Sequence, residues 1–130
     1  MTLKQNTSLS YAEMPWVMQK INEIKQHPAW NEHIKDEAQS ESALLGKPVF
    51  TFLLRPGKDT EHYFLSFVEA DGAVYHKQVR ILLSPRGWLY QNGGSLIRES
   101  INDLVPAVLH CSFEQCKPLR APRAPLFSLN

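Results

Sequence analysis

Three consecutive strand-forming segments, separated by turn signals, constrain the fold of this sequence more than any other feature. Residues 49–55 are rich in β-branched and aromatic side chains and end at the turn dipeptide Pro56–Gly57. Residues 62–68 form a second such segment, and Asp71–Gly72 is typical of a hairpin turn before the alternating pattern of residues 73–83. The sequence therefore predicts an antiparallel meander.

Helical patterns flank this meander on both sides. An amphipathic stripe after Pro15 predicts a helix that stops near His27, because Pro28 disfavours helix in the residue before it. Residues 35–45 predict a second helix, ended by Gly46. A third has the apolar positions Ile97, Ile101, Leu104, Val105 and Val108, with Pro106 inside it, and residues 88–90 predict a short further strand before it.

This order of elements predicts an α+β fold, an antiparallel sheet with helices on both faces and an extra N-terminal helix. The N-terminal apolar stripe, which includes Trp16, Val17 and Met18, is predicted to dock on the domain rather than on a partner or membrane. The 130 residues suit one domain, and the formal charge of +1 gives no reason to expect nucleic-acid binding. No apolar run approaches the roughly 20 residues of a membrane span.

The two cysteines, Cys111 and Cys116, lie five residues apart. This spacing fits neither a CxxC redox pair nor a zinc site, so reduced thiols and no bound metal or cofactor are predicted. The segment His110–Lys117 superficially resembles the HCx5R loop of cysteine phosphatases. It lacks the glycines and the arginine that such a loop needs to hold phosphate, which argues against an enzyme of this kind.

Arg55 is the residue whose chemistry is most informative. Strand alternation places it on the same face as Val49, Thr51 and Leu53, which are expected to be buried. A guanidinium there needs an anion, and phosphate suits its planar fork through two charge-assisted hydrogen bonds. From spacing alone, an internal carboxylate partner at the end of the strand is the alternative.

Several segments together resemble the Src-homology 2 (SH2) family of phosphotyrosine-binding domains. Phe52–Gly57 (FLLRPG) is similar to the family's FLVRES strand, and Ser100–Val105 (SINDLV) to the S-L-x-x-L-V of its second helix. The resemblance covers Trp30 to Leu119 and includes three further segments: Tyr63–Phe67, Val74–Ile81 and Cys116–Leu119. It implies an N-terminal helical extension over 1–27, an SH2-like domain over 28–119 and a proline-rich tail over 120–130.

In this resemblance Arg55 forms the floor of a phosphotyrosine pocket. The loop after it would cover the phosphate, with donors from the backbone N–H groups of Gly57 and Lys58 and from the Thr60 hydroxyl. A plain hairpin turn with solvated charges is the alternative for this loop, and Pro56 removes one N–H donor. His76 corresponds to the family's fourth-strand histidine beside the phosphotyrosine ring.

Two positions depart from the family pattern around the pocket. The family often has a lysine two positions after the histidine, over the phosphotyrosine ring, and this chain has Gln78 there. The family's first helix contributes an arginine, and the stretch Trp30–Glu37 contains none. Lys35 is the candidate replacement, with a solvated surface lysine as the alternative.

Peptide specificity in the family comes from a groove lined by the fourth strand and by two loops. Lys77, Gly93 and Gly94 occupy such places here, as does the segment 110–115. The tail also contains P-x-x-P at Pro122 and Pro125, for which a disordered end is the expected state and a ligand for proline-recognising domains the alternative.

The resemblance predicts a non-enzymatic, monomeric adaptor or competitor in signalling that binds tyrosine-phosphorylated proteins or peptides. Its predicted location is the cytoplasm, or the host-cell cytosol if the chain is a secreted bacterial effector. The rival prediction is a phosphate-independent protein–protein interaction domain that keeps the SH2 fold.

Overall fold

A computed structural model of the chain describes residues 14–93 and 96–121. Residues 1–13, Gly94 and the P-x-x-P motif lie outside the described residues. The elements in chain order are α1 (Met14–Lys25), α2 (Glu37–Leu44), β1 (Thr51–Pro56), β2 (His62–Val68), β3 (Val74–Ser84), β4 (Gly87–Asn92), β5 (Leu96–Arg98), α3 (Ile101–Leu109), a 3₁₀ helix (Phe113–Gln115) and β6 (Lys117–Pro118).

The six strands form one sheet in the order β5-β4-β3-β2-β1-β6. Each consecutive pair from β1 to β5 is antiparallel, and the short β6 pairs in parallel with β1. The predicted antiparallel meander and the α+β class are therefore confirmed.

The two faces of the sheet carry hydrophobic clusters of different size. The larger cluster joins one face of the sheet to α1 and α3, and its members include Val17, Ile21, Ile24, Phe52, Leu54, Tyr63, Leu65, Phe67, Val79, Ile81, Tyr90, Ile101, Leu104, Val105, Val108 and Leu109. The smaller cluster joins the other face to α2, and its buried members are Leu44, Leu53 and Val68. Helices therefore cover both faces, as the sequence predicted.

Helix α1 is part of the domain core. Val17, Ile21 and Ile24 are buried, and the hydroxyl of Tyr90 on β4 donates to the carbonyl of Lys20 at 2.7 Å. Met18, by contrast, faces solvent. The predicted docking of the apolar stripe on the domain is confirmed for Val17, Ile21 and Ile24, but Trp16, like Met18, is exposed. No helix among residues 14–93 and 96–121 is long and apolar enough to cross a bilayer.

Two predicted boundaries are wrong. Strand β1 begins at Thr51 rather than at residue 49, because Phe50 takes a left-handed backbone conformation with φ 71° that a strand does not accommodate. Ile97 lies in β5 and not in the last helix, which starts after the N-cap Ser100, whose hydroxyl accepts from the N–H of Asp103.

Candidate anion-binding site

Arg55 is held in the interior of the sheet by its neighbours on β2. It lies opposite Phe64 in the antiparallel register, so both side chains are on the α2 face, where Arg55 is only 2% exposed. Its Nε donates to Ser66 Oγ at 3.3 Å, and its Cζ lies 4.6 Å from the centroid of the Phe64 ring. Ser66 therefore holds the Nε edge of the guanidinium, and the Phe64 ring covers one face of its plane.

The remaining edge of the guanidinium lacks an anionic partner. The Nη2 atom of Arg55 is buried and has no hydrogen-bond acceptor among the described residues, and none of their carboxylates lies within 4.0 Å of this guanidinium. Burial lowers the pKa of Arg55, an effect that the carboxylates of Glu37 and Asp36 oppose. Arginine stays protonated in proteins, so this is a buried cation with an unused donor.

Ser66 connects Arg55 to His76 across three strands. Because Arg55 Nε can only donate, Ser66 Oγ accepts from it, and the same oxygen lies 2.8 Å from His76 Nδ1. His76 Nε2 donates to Glu41 Oε2 at 3.1 Å, because an ionised carboxylate can only accept. His76 therefore lies on the same face of the sheet as Arg55. Ser66 contacts one ring nitrogen of His76, and Glu41 of α2 contacts the other.

The loop between β1 and β2 is tied to the backbone of β2. The N–H of Gly57 donates to the carbonyl of His62 at 3.0 Å, and a Cβ at Gly57 would lie 2.3 Å from that same oxygen. Glycine is required here for a close approach of two backbone segments. The predicted role of its N–H as a phosphate donor is not supported, because that N–H is already used within the hairpin.

Lys58 and Thr60 are the predicted loop donors that remain exposed. The loop carrying them is braced by Tyr63, whose hydroxyl donates to the carbonyl of Thr60, and by a 2.7 Å contact between His62 Nδ1 and Asp59 Oδ1. The hydrogen bond to His62 lowers the pKa of Asp59, while burial and nearby carboxylates raise the pKa of Tyr63 to about 12. These contacts hold the loop against β2 and leave Lys58 and Thr60 exposed.

The start of α2 brings negative rather than positive charge toward Arg55. Asp36 is the N-cap, its side chain accepting from the N–H of Gln39 at 2.8 Å, and Glu37 follows in the first turn. The N–H of Lys35 donates to Gln39 Oε1, and the Lys35 side chain is exposed. Glu37, Asp36 and Glu41 were not anticipated as neighbours of the site.

Glu37, Glu41 and His76 also form the one group of described residues with the side chains to hold a metal ion. Their ligand atoms all lie within 4.8 Å of one another. Two carboxylates and an imidazole suit a divalent transition metal better than calcium. Exposed carboxylates one helical turn apart occur commonly without a metal, and here Glu41 already serves as the acceptor for His76.

The predicted peptide-contacting residues divide between the two faces of the sheet. Gln78 lies opposite Phe64 and therefore shares the face of Arg55. Lys77 lies opposite Leu65, which places it on the other face. Gly93 lines a cavity of about 200 Å³ together with Gln78, Arg80 and Gln91, so the structure groups Gly93 with Gln78 rather than with Lys77.

Besides Asp36 and Glu37, sequence reasoning missed Phe64, Ser66 and Glu41 as neighbours of the site. Phe64 and Ser66 could have been predicted, because strand alternation places positions 64 and 66 of β2 on the same side as Arg55 once the hairpin register is known. Glu41 gave no comparable signal. Its contact with His76 depends on how α2 rotates against the sheet.

Comparison with protein-family models and with curated proteins finds no match. Among solved structures, CED-2 is similar at 17% sequence identity with a TM-score of 0.54, over 82% of this chain and 65% of CED-2. The SH2 domain of RavO from Legionella pneumophila, solved as an apoprotein, is similar at 15% identity with a TM-score of 0.47, over 64% of this chain and 73% of that one. This chain therefore spans just under two thirds of CED-2.

The protein has an SH2-like fold, as the motif resemblance predicted. At these identities the similarity concerns the fold alone. Such similarity does not define a function, which depends on the side chains that the fold brings together.

Proposed function

We propose that this chain binds phosphotyrosine in proteins or peptides, with Arg55 as the residue that grips the phosphate. The observation that carries the proposal is the buried guanidinium with an unpartnered Nη2 and no carboxylate in ion-pair range among the described residues. A charged group desolvated in this way is stabilised by an anion that supplies both charge and hydrogen-bond acceptors. A phosphate monoester dianion supplies both.

The depth of Arg55 favours phosphotyrosine over phosphoserine. Because the guanidinium is almost fully buried, a phosphate must be carried to it on a long and rigid side chain. The tyrosine ring provides that length, and the imidazole of His76 on the same face offers a flat side chain beside which the ring can lie. The shorter serine side chain would leave its phosphate above the pocket.

The remaining donors proposed for the phosphate are the Lys58 N–H and the Thr60 hydroxyl, with Lys35 the candidate at the start of α2. With Arg55 as the principal contact, we expect micromolar affinity, roughly −8 kcal/mol. We infer no catalytic step, because the loop that starts at Cys111 lacks the glycines and the arginine that a cysteine phosphatase needs to hold phosphate. The module would act by recruiting, shielding or competing for phosphorylated partners.

A titration with phenyl phosphate, followed by NMR, tests the proposal without knowledge of the flanking sequence. We expect the side-chain Nε–H signal of Arg55 and the ring signals of His76 to shift, since both lie on the proposed pocket. A degenerate phosphotyrosine peptide library should bind, and its unphosphorylated and phosphoserine counterparts should not. Equal binding of phosphorylated and unphosphorylated peptides would contradict phosphate recognition, and release of inorganic phosphate would contradict a purely binding role.

One observation favours the phosphate-independent alternative. Asp36, Glu37 and Glu41 place carboxylates at the end of α2 that meets the site, where the family resemblance expects an arginine. Like charges there oppose a phosphate dianion. The peptide comparison separates the two functions, because the alternative requires that phosphorylation make no difference.

Glu41→Gln should strengthen phosphopeptide binding by up to about 1 kcal/mol, the range of a partly exposed charge interaction. The change removes a carboxylate near the phosphate and keeps an oxygen that can accept from His76 Nε2. Isothermal titration calorimetry measures the effect. Glu99→Gln alters the net charge equally and is the matched control, since the Glu99 side chain is exposed and pairs with Arg86 in the β3–β4 turn. Weaker binding by Glu41→Gln alone would show that the carboxylate supports the site by orienting His76.

A further inference from the structure

The thiols of Cys111 and Cys116 meet in the loop between α3 and β6. Their Sγ atoms are 3.1 Å apart, although both side chains are reduced and only partly buried. A disulfide bond holds its two sulfurs about 2 Å apart, so each would have to move by roughly half an ångström. The residues are five positions apart in sequence, and the local backbone brings them together.

The backbone on both sides of this thiol pair is fixed by hydrogen bonds. The N–H of Cys111 donates to the carbonyl of Pro106 at 3.1 Å, following His110 in a left-handed C-cap conformation. The N–H of Cys116 donates to the carbonyl of Phe113 at 3.2 Å, at the end of the 3₁₀ helix. These hydrogen bonds hold the loop in a conformation that brings the two sulfurs together.

We propose that Cys111 and Cys116 are a redox-active pair that forms an intramolecular disulfide by exchange with a small-molecule disulfide such as oxidised glutathione. Cys111 attacks as the thiolate and forms a mixed disulfide, expelling one glutathione thiolate. Cys116 then gives up its proton and attacks the Cys111 sulfur, expelling the second. The protein loses two protons and two electrons in all, and the oxidant takes them up to become two thiols.

The environment of the pair agrees with this order of events. Burial first, and then the hydrogen bond to Cys111 and the negative charge of its thiolate, raise the pKa of Cys116 to about 12. Once Cys111 is in the mixed disulfide, it carries no charge. The part of the rise in the Cys116 pKa that came from the Cys111 thiolate is then lost, and Cys116 is more readily deprotonated to the attacking thiolate than before. Cys111 is only partly buried, so a small-molecule disulfide can reach its sulfur from solvent.

Closing this bond would fix the loop 110–117 in one conformation. The segment 110–115 was predicted to help select peptides, so an effect of oxidation on peptide choice rests on the proposed function. The covalent step itself does not. A mass measurement therefore distinguishes failure of this inference from failure of phosphotyrosine binding.

The test equilibrates the full chain with buffers of oxidised and reduced glutathione, traps free thiols with N-ethylmaleimide and measures intact mass. We expect a monomeric species without adducts, lighter than the dithiol by two hydrogens, forming on the order of tenfold or more readily in the native protein than in the chain unfolded by urea. Cys111→Ser and Cys116→Ser should each give only a glutathione adduct, because the chain has no other cysteine. Glutathione adducts or covalent dimers as the main wild-type products, or closure no easier in the native than in the unfolded chain, would overturn the proposal.

Discussion

Replacing Arg55 with alanine should lower the affinity for a phosphotyrosine peptide by at least about 2 kcal/mol, or roughly 30-fold. The substitution removes a buried cation whose Nη2 has no acceptor among the described residues, and with it the charge-assisted contact proposed for the phosphate. Calorimetry or fluorescence anisotropy with a peptide selected from the library measures the loss.

Two further substitutions make this result specific. Arg55→Lys should be nearly as harmful, because an ammonium keeps the charge but cannot donate through a planar fork. Arg86→Ala is the matched control, since Arg86 lies in the β3–β4 turn, exposed and in a 3.6 Å pair with Glu99. If the Arg55 variants remain folded and bind like the wild type, the assignment of the phosphate to this side chain is wrong.

Replacing Ile24 with alanine should lower the free energy of unfolding by about 2–5 kcal/mol, as expected for a large-to-small change in a packed core. Ile24 is fully buried in the larger hydrophobic cluster between α1 and the sheet. Urea denaturation, followed by circular dichroism, measures the shift in midpoint.

Met18→Ala is the control for the helix itself. Met18 lies on the same helix but is 45% exposed, and alanine is a good helix former, so stability should change little. Equal, small effects of the two substitutions would mean that α1 is a detachable extension, as the predicted boundary at Pro28 implied, and not a structural part of the domain.

The strands could be predicted from the sequence because their signals are local. The pattern of β2 and the turns on either side of it define residues 62–68, and the structure has the same bounds. Ile97 was assigned to the wrong element because one apolar residue four positions before Ile101 fits a helix as well as it fits an edge strand. The left-handed conformation of Phe50 had no sequence signal, since bulky residues rarely adopt it.

The site could be predicted only in part. Arg55 stood out because a cation among buried strand positions is chemically unusual. The partners of His76 depend on two facts that alternation alone does not supply, the register between β2 and β3 and the rotation of α2. The carboxylates of α2 were overlooked because the rotation of α2 could not be predicted. They are the main departure from the pocket that the family resemblance predicts, in which the same helix contributes an arginine.

The unequal hydrophobic clusters on the two sides of the sheet have a consequence for the effects of substitutions. Most of the buried apolar side chains lie on the side of α1 and α3, whereas the α2 side combines a small cluster with the polar chain from Arg55 to Glu41. Substitutions around α2 are therefore expected to alter the proposed site while the opposite side keeps the chain folded.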